Sequence, residues 1–227
     1  MAVATSRLLA VPHGFLGRES AIDGRALQAI GDTGRLVRVR QVHSARCVVA
    51  GDWDDGDRPE ADALVTDRDG LVLGIVTADC APVLLADPQA GVIGAAHAGC
   101  KGALAGVTDA TIAAMEALGA RRDAIAAAIG PCIARLSYEV DGAFRARFCE
   151  ADGANERFFV EGTRKGHHHF DLEAYVAHRL ACVGVAPIDA LGLDTYALAA
   201  RYHSYRRATH RGEPADGRQL SVIARGR

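Results

Sequence analysis

Two periodicities divide the chain. From Leu36 to Val42, apolar Val37 and Val39 alternate with Arg38 and Arg40, the period-two signature of a strand with one face in a core. Short apolar runs follow at Cys47 to Ala50, Ala63 to Thr66, Leu71 to Thr77, Pro82 to Ala86 and Val92 to Ala96, with a last one at Gln219 to Ala224. The runs at Leu71 and Val92 do not alternate. A strand apolar on both sides is covered on both faces, so stacked layers are expected instead of an open sheet. Beyond His97 the period changes. Leu104, Val107, Thr111, Met115 and Leu118 recur at three- and four-residue steps up to Gly119, which predicts one amphipathic helix ending there. A second helix is predicted after Asp171, a good N-cap, with Leu172, Tyr175, Val176, Leu180 and Val183 as its stripe, Arg179 snorkelling from it and Gly184 as its stop. Strands crowd the front of the chain and helices are few. The expectation is therefore an α+β fold, a layered sandwich of mixed β-sheets with flanking helices. No repeat, low-complexity segment or linker interrupts it, so residues 1–227 read as a single domain.

Composition narrows the function classes. A chain of 227 residues with 49% hydrophobic and 24% charged residues can bury a substantial core, which excludes general disorder. Its formal charge of -2 lacks the basic footprint of a nucleic-acid binder. The longest strongly apolar stretch, Gly70 to Ala78, has nine residues, far short of the roughly 20 that span a bilayer. The run Leu8 to Val11 before Pro12 is too short for a signal-peptide core, so the chain reads as cytoplasmic. The six cysteines, Cys47, Cys80, Cys100, Cys132, Cys149 and Cys182, are widely spaced. In a cytosolic chain that pattern suggests buried thiols or a site thiol, not a disulfide framework.

Three residues with ligand chemistry stand where strands are expected to run out. His43 closes RLVRVRQVH, Cys80 ends LGIVTADC, and His97 ends GVIGAAH. Two imidazoles and a thiolate suit zinc, and three protein ligands leave a fourth position open for water or substrate. The separations of 37 and 17 match no short-range zinc motif. By spacing alone, two satisfied histidines and a buried thiol remain the default. After His97, AGCKGALAG brings Gly99, Gly102 and Gly106 to the start of the expected helix, where free N–H groups and Lys101 would favour an anion. A glycine-rich turn packed on a sheet reads equally well there. RYHSYRRATHRGEP is expected to be one polar loop, with Arg206, Arg207 and Arg211 available for phosphate and Tyr205 or His203 for stacking on a planar ring. His167, His168 and His169 read as an exposed loop, and Cys132 in AIGPCI stands at another strand end, near the same site or in the core.

Together these stretches resemble the YfiH family, also called the laccase-domain or multicopper polyphenol oxidase family. The likeness runs from His13 to Ile223 and includes HGF, RQVHS, ADALVT, TADCAPVLLAD, GAAHAG, AIGPCI, SYEV, FDLEAYV and SYRRATHRGEP with its trailing GRQLSVIA. The resemblance implies that His43, Cys80 and His97 bind one zinc ion per chain, and it groups the fold with cysteine-hydrolase-type bacterial toxins. It implies a purine nucleoside phosphorylase acting on adenosine, inosine or methylthioadenosine with phosphate, and deaminating adenosine as a side activity. Catalysis would rest on Cys80, His97 and His43, and substrate or phosphate binding on Lys101, Arg206 and Cys132. The family name implies copper-dependent phenol oxidation instead, and bacterial members have been linked to editing of peptidoglycan precursors. A multicopper enzyme needs more histidines in close pairs than this chain has outside 167–169. A cysteine-type hydrolase or deamidase using Cys80 and His97 without metal remains a further alternative, as does a non-enzymatic zinc module. Two departures stand out. Cys100-Lys101-Gly102 replaces the family's Trp-Arg-Gly, losing a planar guanidinium fork, and Leu16 to Val39 lacks the Gly-Gly-Val-Ser and Ser-Leu-Asn pieces common in the family. Oligomeric state is not legible in the sequence.

Overall fold

The computed structural model describes residues 3–20 and 22–226, leaving Met1, Ala2, Ala21 and Arg227 outside the described residues. Its strands are β1 (His13–Phe15), β2 (Arg35–Val37), β3 (Cys47–Val49), β4 (Ala63–Thr66), β5 (Leu71–Thr77), β6 (Ala81–Asp87) and β7 (Val92–Ala98) in the first half. The second half adds β8 (Ala126–Ile129), β9 (Glu139–Asp141), β10 (Phe159–Glu161), β11 (His167–Phe170), β12 (Ile188–Ala190) and β13 (Gln219–Ala224). The α-helices are α1 (Cys100–Ala105), α2 (Val107–Ala117), α3 (Gly142–Ala151), α4 (Leu172–Cys182) and α5 (Tyr205–Arg211).

A six-stranded sheet in the order β12-β8-β6-β7-β4-β3 lies against a four-stranded sheet in the order β1-β13-β5-β2, and both mix parallel with antiparallel pairs. Alternation assigns the faces. Leu64, Leu84, Ile93 and Ala95 of the large sheet meet Leu71, Leu73, Ile75 and Ile223 of the small one. The intervening residues Ala63, Val65, Val83, Leu85 and Ala96 turn the other way, to Val107, Ile112 and Met115 of α2 and Val176 and Leu180 of α4. Val72, Leu220 and Val222 face outward onto Ala26 and Leu27, in a 3-10 helix over Gly24–Ile30. Every strand of the two runs without alternation therefore has apolar cover on both faces, as the pattern demands. No helix among the described residues is long and apolar enough to cross a membrane.

The α+β class and most strand positions follow the pattern, but five local readings do not. The alternating stretch forms a strand only over Arg35–Val37, and Val39 to His43 leave the sheet as a loop. The helix after His97 is two helices, split at Gly106, whose φ of 93° is one that a side chain would strain. Arg179 does not snorkel. It donates to the Ala103 and Leu104 carbonyls at the end of α1 and pairs with Asp109 of α2 at 2.8 Å, so it locks the break in place. His167, His168 and His169 belong to β11, the centre of a small β10-β11-β9 sheet, and are half-buried. The expected polar loop near the C-terminus contains α5, capped by Ser204, which accepts from the Arg207 amide. All six cysteines are free, although only Cys132 is fully buried and Cys182 is exposed.

The small sheet is fastened by aromatic packing that local periodicity did not show. Phe148 of α3 lies 5.0 Å from Phe144, 4.7 Å from Phe170 and 5.0 Å from Tyr175, and Tyr138 joins the same group at 5.9 Å from Phe144. Tyr138 also lines the cavity described below, so this cluster backs one of its walls. Phe148→Ala is expected to cost about 3–5 kcal/mol of unfolding free energy, read from the urea midpoint and slope, because relaxation of the four rings that contact it cannot replace the buried ring.

Candidate active site

The site forms where the two sheets part. β5 ends in the small sheet at Thr77 and β6 begins in the large one at Ala81, so Ala78, Asp79 and Cys80 carry the chain from one sheet to the other. The turn is tight enough to force Asp79 to a φ of 81°. Its carboxylate compensates by accepting the Thr195 hydroxyl at 2.7 Å and the Arg206 amide at 2.6 Å, which ties Cys80 to the start of α5.

His43 has the same unusual backbone, with a φ of 61°. What holds it is Asp62, fully buried at the head of β4. Asp62 accepts the amides of Val42, His43 and Ser44 at 3.2, 2.9 and 2.5 Å, and the Ser44 hydroxyl at 2.8 Å. A fifth bond comes from Nδ1 of His97, 2.8 Å from its Oδ1. The proton on Nδ1 fixes the tautomer, so Nε2 of His97 is the nitrogen with a lone pair to offer. Burial raises the Asp62 pKa, but the bonds from His97 and Ser44 outweigh it and hold the carboxyl well below the usual carboxylate range.

The structure brings His43, Cys80 and His97 together, with one ligand atom of each within 4.8 Å of the others. Sγ of Cys80 stands 3.9 Å from Nε2 of His43, and the two imidazole centroids are 4.7 Å apart. Around one tetrahedral ion, bonds of about 2.0–2.3 Å would place such donors roughly 3.5 Å apart, so a small contraction suffices. The floor also fits, because a Cβ on Gly99 would lie 2.7 Å from Sγ of Cys80 and 3.1 Å from the His43 ring. The donor set thus suits a single borderline metal ion. Burial, then the charge of neighbouring His97, holds His43 below the ordinary imidazole value, which favours the neutral ligand form. Burial also pushes the Cys80 thiol up to about 12, with Cys100 and Asp79 adding to the push and Arg218 opposing it. A bare Cys80 is therefore a thiol at neutral pH, and a cation is what would convert it to thiolate.

These residues line a cavity of about 840 Å³, a size suited to a small organic ligand. Lys101, Arg206 and Arg218 also line it, and none of them has a carboxylate ion-pair partner among the described residues. Tyr205 and Tyr138 add aromatic surface, and the guanidinium of Arg206 lies 5.1 Å over the Tyr138 ring while donating to the Glu139 carbonyl. Not every expected residue arrives. Cys132 is buried away from the lining, which its neighbour Ile133 joins instead. Arg207 is buried and spends its guanidinium on the carbonyls of Thr195, Tyr196 and Tyr202, and His203 does not reach the cavity. Among the cavity residues that sequence reasoning did not single out are Thr77, Asp79, Tyr138 and Arg218. Nor did it single out Asp62 behind them, although Asp62, Thr77 and Asp79 lie inside recognised stretches, and Tyr138 and Arg218 in SYEV and GRQLSVIA.

Fold and site together define an α+β protein whose cavity wall carries a His-Cys-His group able to hold a metal ion. The family described as multi-copper polyphenol oxidoreductase laccase matches residues 23–226, and the chain belongs to that family. It is similar to a Rickettsia conorii protein named purine nucleoside phosphorylase, 38% identical over 188 residues, covering 83% of this chain and 77% of that protein. It is also similar to an adenosine deaminase from an unknown prokaryotic organism, 36% identical over 168 residues, 70% of this chain and 64% of that protein. Among solved structures, the Neisseria meningitidis protein NMB0706 superposes with a TM-score of 0.82 at 26% identity and 98% coverage of both chains.

Because Asp62 supports both histidines, Asp62→Asn should weaken metal affinity about 10–100-fold while leaving the fold intact. Competition against a chromogenic chelator reads the affinity, and far-UV circular dichroism checks the fold.

Proposed function

We propose that the chain is a zinc-dependent enzyme that phosphorolyses purine nucleosides and deaminates adenosine in the same cavity. The observation that carries this reading is the meeting of His43, Cys80 and His97 on the wall of a cavity in which Lys101, Arg206 and Arg218 have no carboxylate ion-pair partner among the described residues. The names of the relatives from Rickettsia conorii and the unidentified prokaryote agree with it.

In phosphorolysis a phosphate oxygen bonds to C1′ of the ribose as the bond from C1′ to the purine nitrogen breaks. The electron pair leaves with the base, which takes up a proton. In deamination a water oxygen adds at the ring carbon bearing the amine, and ammonia departs. A divalent ion held by His43, Cys80 and His97 would supply Lewis acidity and lower the pKa of water. The chain does the remainder. Asp62 keeps the histidine nitrogens aimed, Tyr138 and Arg206 form a flat wall for a purine, and burial keeps the Tyr138 phenol protonated as a donor. Lys101 places positive charge at the cavity for an anionic co-substrate. Zinc is favoured over copper oxidation because the described residues contain one such donor group, whereas a multicopper centre needs several. A metal-free cysteine hydrolase is disfavoured by the raised Cys80 pKa.

Adenosine and inosine incubated with zinc-loaded protein should yield free base and ribose 1-phosphate only when phosphate is present, as resolved by chromatography. Cys80→Ala should lower turnover by at least about 100-fold, equivalent to losing several kcal/mol of charge stabilisation. Nucleosides recovered intact at one zinc per chain would overturn the reading. Alkylation-sensitive turnover that survives chelation would replace it with the cysteine hydrolase.

A further inference from the structure

We infer that Thr77 and Arg218 form the subsite for phosphate, a role that rests on the phosphorolysis proposed above. Thr77 is 1% exposed, lines the cavity, and its hydroxyl oxygen has no hydrogen-bond partner among the described residues. A buried hydroxyl is almost always satisfied, so an orphan in a cavity wall calls for an oxygen or nitrogen supplied by a ligand. Gln219, the first residue of β13, pairs with Thr77, the last of β5, so the backbone of Arg218 lies one residue beyond Thr77's partner at the same end of the sheet, and both residues line the cavity.

The guanidinium is already braced. Its Nη1 donates to the carbonyls of Ala215 and Gly217, each at 2.8 Å, while no carboxylate among the described residues pairs with it. Both residues share the cavity with His43 and Cys80, and the Arg218 charge acts on both of those side chains. A guanidinium fork and a hydroxyl donor lining one cavity match the oxygens of phosphate, and a neutral ribose hydroxyl would leave the charge unmatched. Arg206 differs in that its guanidinium also lies 5.1 Å over the Tyr138 ring, which commits it to the aromatic wall.

The test uses the zinc-loaded full chain with Thr77→Val, Arg218→Gln and Arg218→Lys, and with Arg25→Gln as a charge control outside the cavity. Calorimetry with inorganic phosphate and the separate KM values for phosphate and inosine are the readouts. Thr77→Val and Arg218→Gln should each weaken phosphate by roughly tenfold or more while the inosine KM stays within about twofold. Arg218→Lys should fall between, and Arg25→Gln should match the unaltered protein. Thr77→Val should keep its thermal midpoint, since the hydroxyl it removes has no hydrogen-bond partner among the described residues. Phosphate affinity unchanged in both Thr77→Val and Arg218→Gln would overturn the subsite, as would a raised inosine KM with phosphate untouched, or no phosphate binding to the unaltered protein. Phosphate binding that depends on Thr77 and Arg218 without any nucleoside cleavage would uphold the subsite and overturn phosphorolysis.

Discussion

One buried carboxylate organises the candidate site. Asp62 is fully enclosed, and an isolated ion in that position would be strongly unfavourable. It is tolerated because five hydrogen bonds converge on its two oxygens, three from consecutive backbone amides, one from Ser44 and one from His97. Those bonds hold the loop at His43 in a left-handed conformation that a histidine would otherwise avoid, and they set the tautomer of His97. Two of the three metal-ligating candidates are therefore positioned by a single side chain that is not itself one of the donors.

The third is positioned by a parallel device. Asp79 turns the chain between the sheets, again with positive φ, and its carboxylate reaches across to Thr195 and the backbone of α5. Strain concentrated at two residues flanking one cavity is characteristic of functional sites, where surrounding bonds over-determine an unfavourable backbone. Here the over-determination comes in both cases from an aspartate accepting backbone amides.

Two pairs of arginines bear differently on the site. Arg179 and Arg207 are structural, each spending its guanidinium mainly on carbonyls of separate chain segments. Arg206 and Arg218 face the cavity with Lys101. A chain of net charge -2 thus concentrates unpaired positive charge around its candidate metal site, and a low-dielectric wall extends the reach of that charge toward an incoming anion.

Apolar periodicity was sufficient for much of the fold. β4, β5 and β13 lie where the runs predict them, and the absence of alternation at Leu71 and Val92 announced the layers on both sides. The likeness of RQVH, TADC and GAAHAG to a known family identified His43, Cys80 and His97 as the candidate metal group, which separations of 37 and 17 could not do. What stayed hidden depends on contacts between distant segments. The split of the helix at Gly106 is locked by Arg179, 73 positions later, and the β11 histidines enter a strand through pairing with β9 and β10. Arg218 becomes a cavity residue only because Gln219 pairs with Thr77. Local pattern determined which residues are apolar on which face, because side-chain direction follows from backbone period alone. Which cations stay unpaired, which hydroxyl stays orphaned and which carboxylate aims the histidines were decided by tertiary structure, because each is a statement about partners that the chain brings together only when it folds.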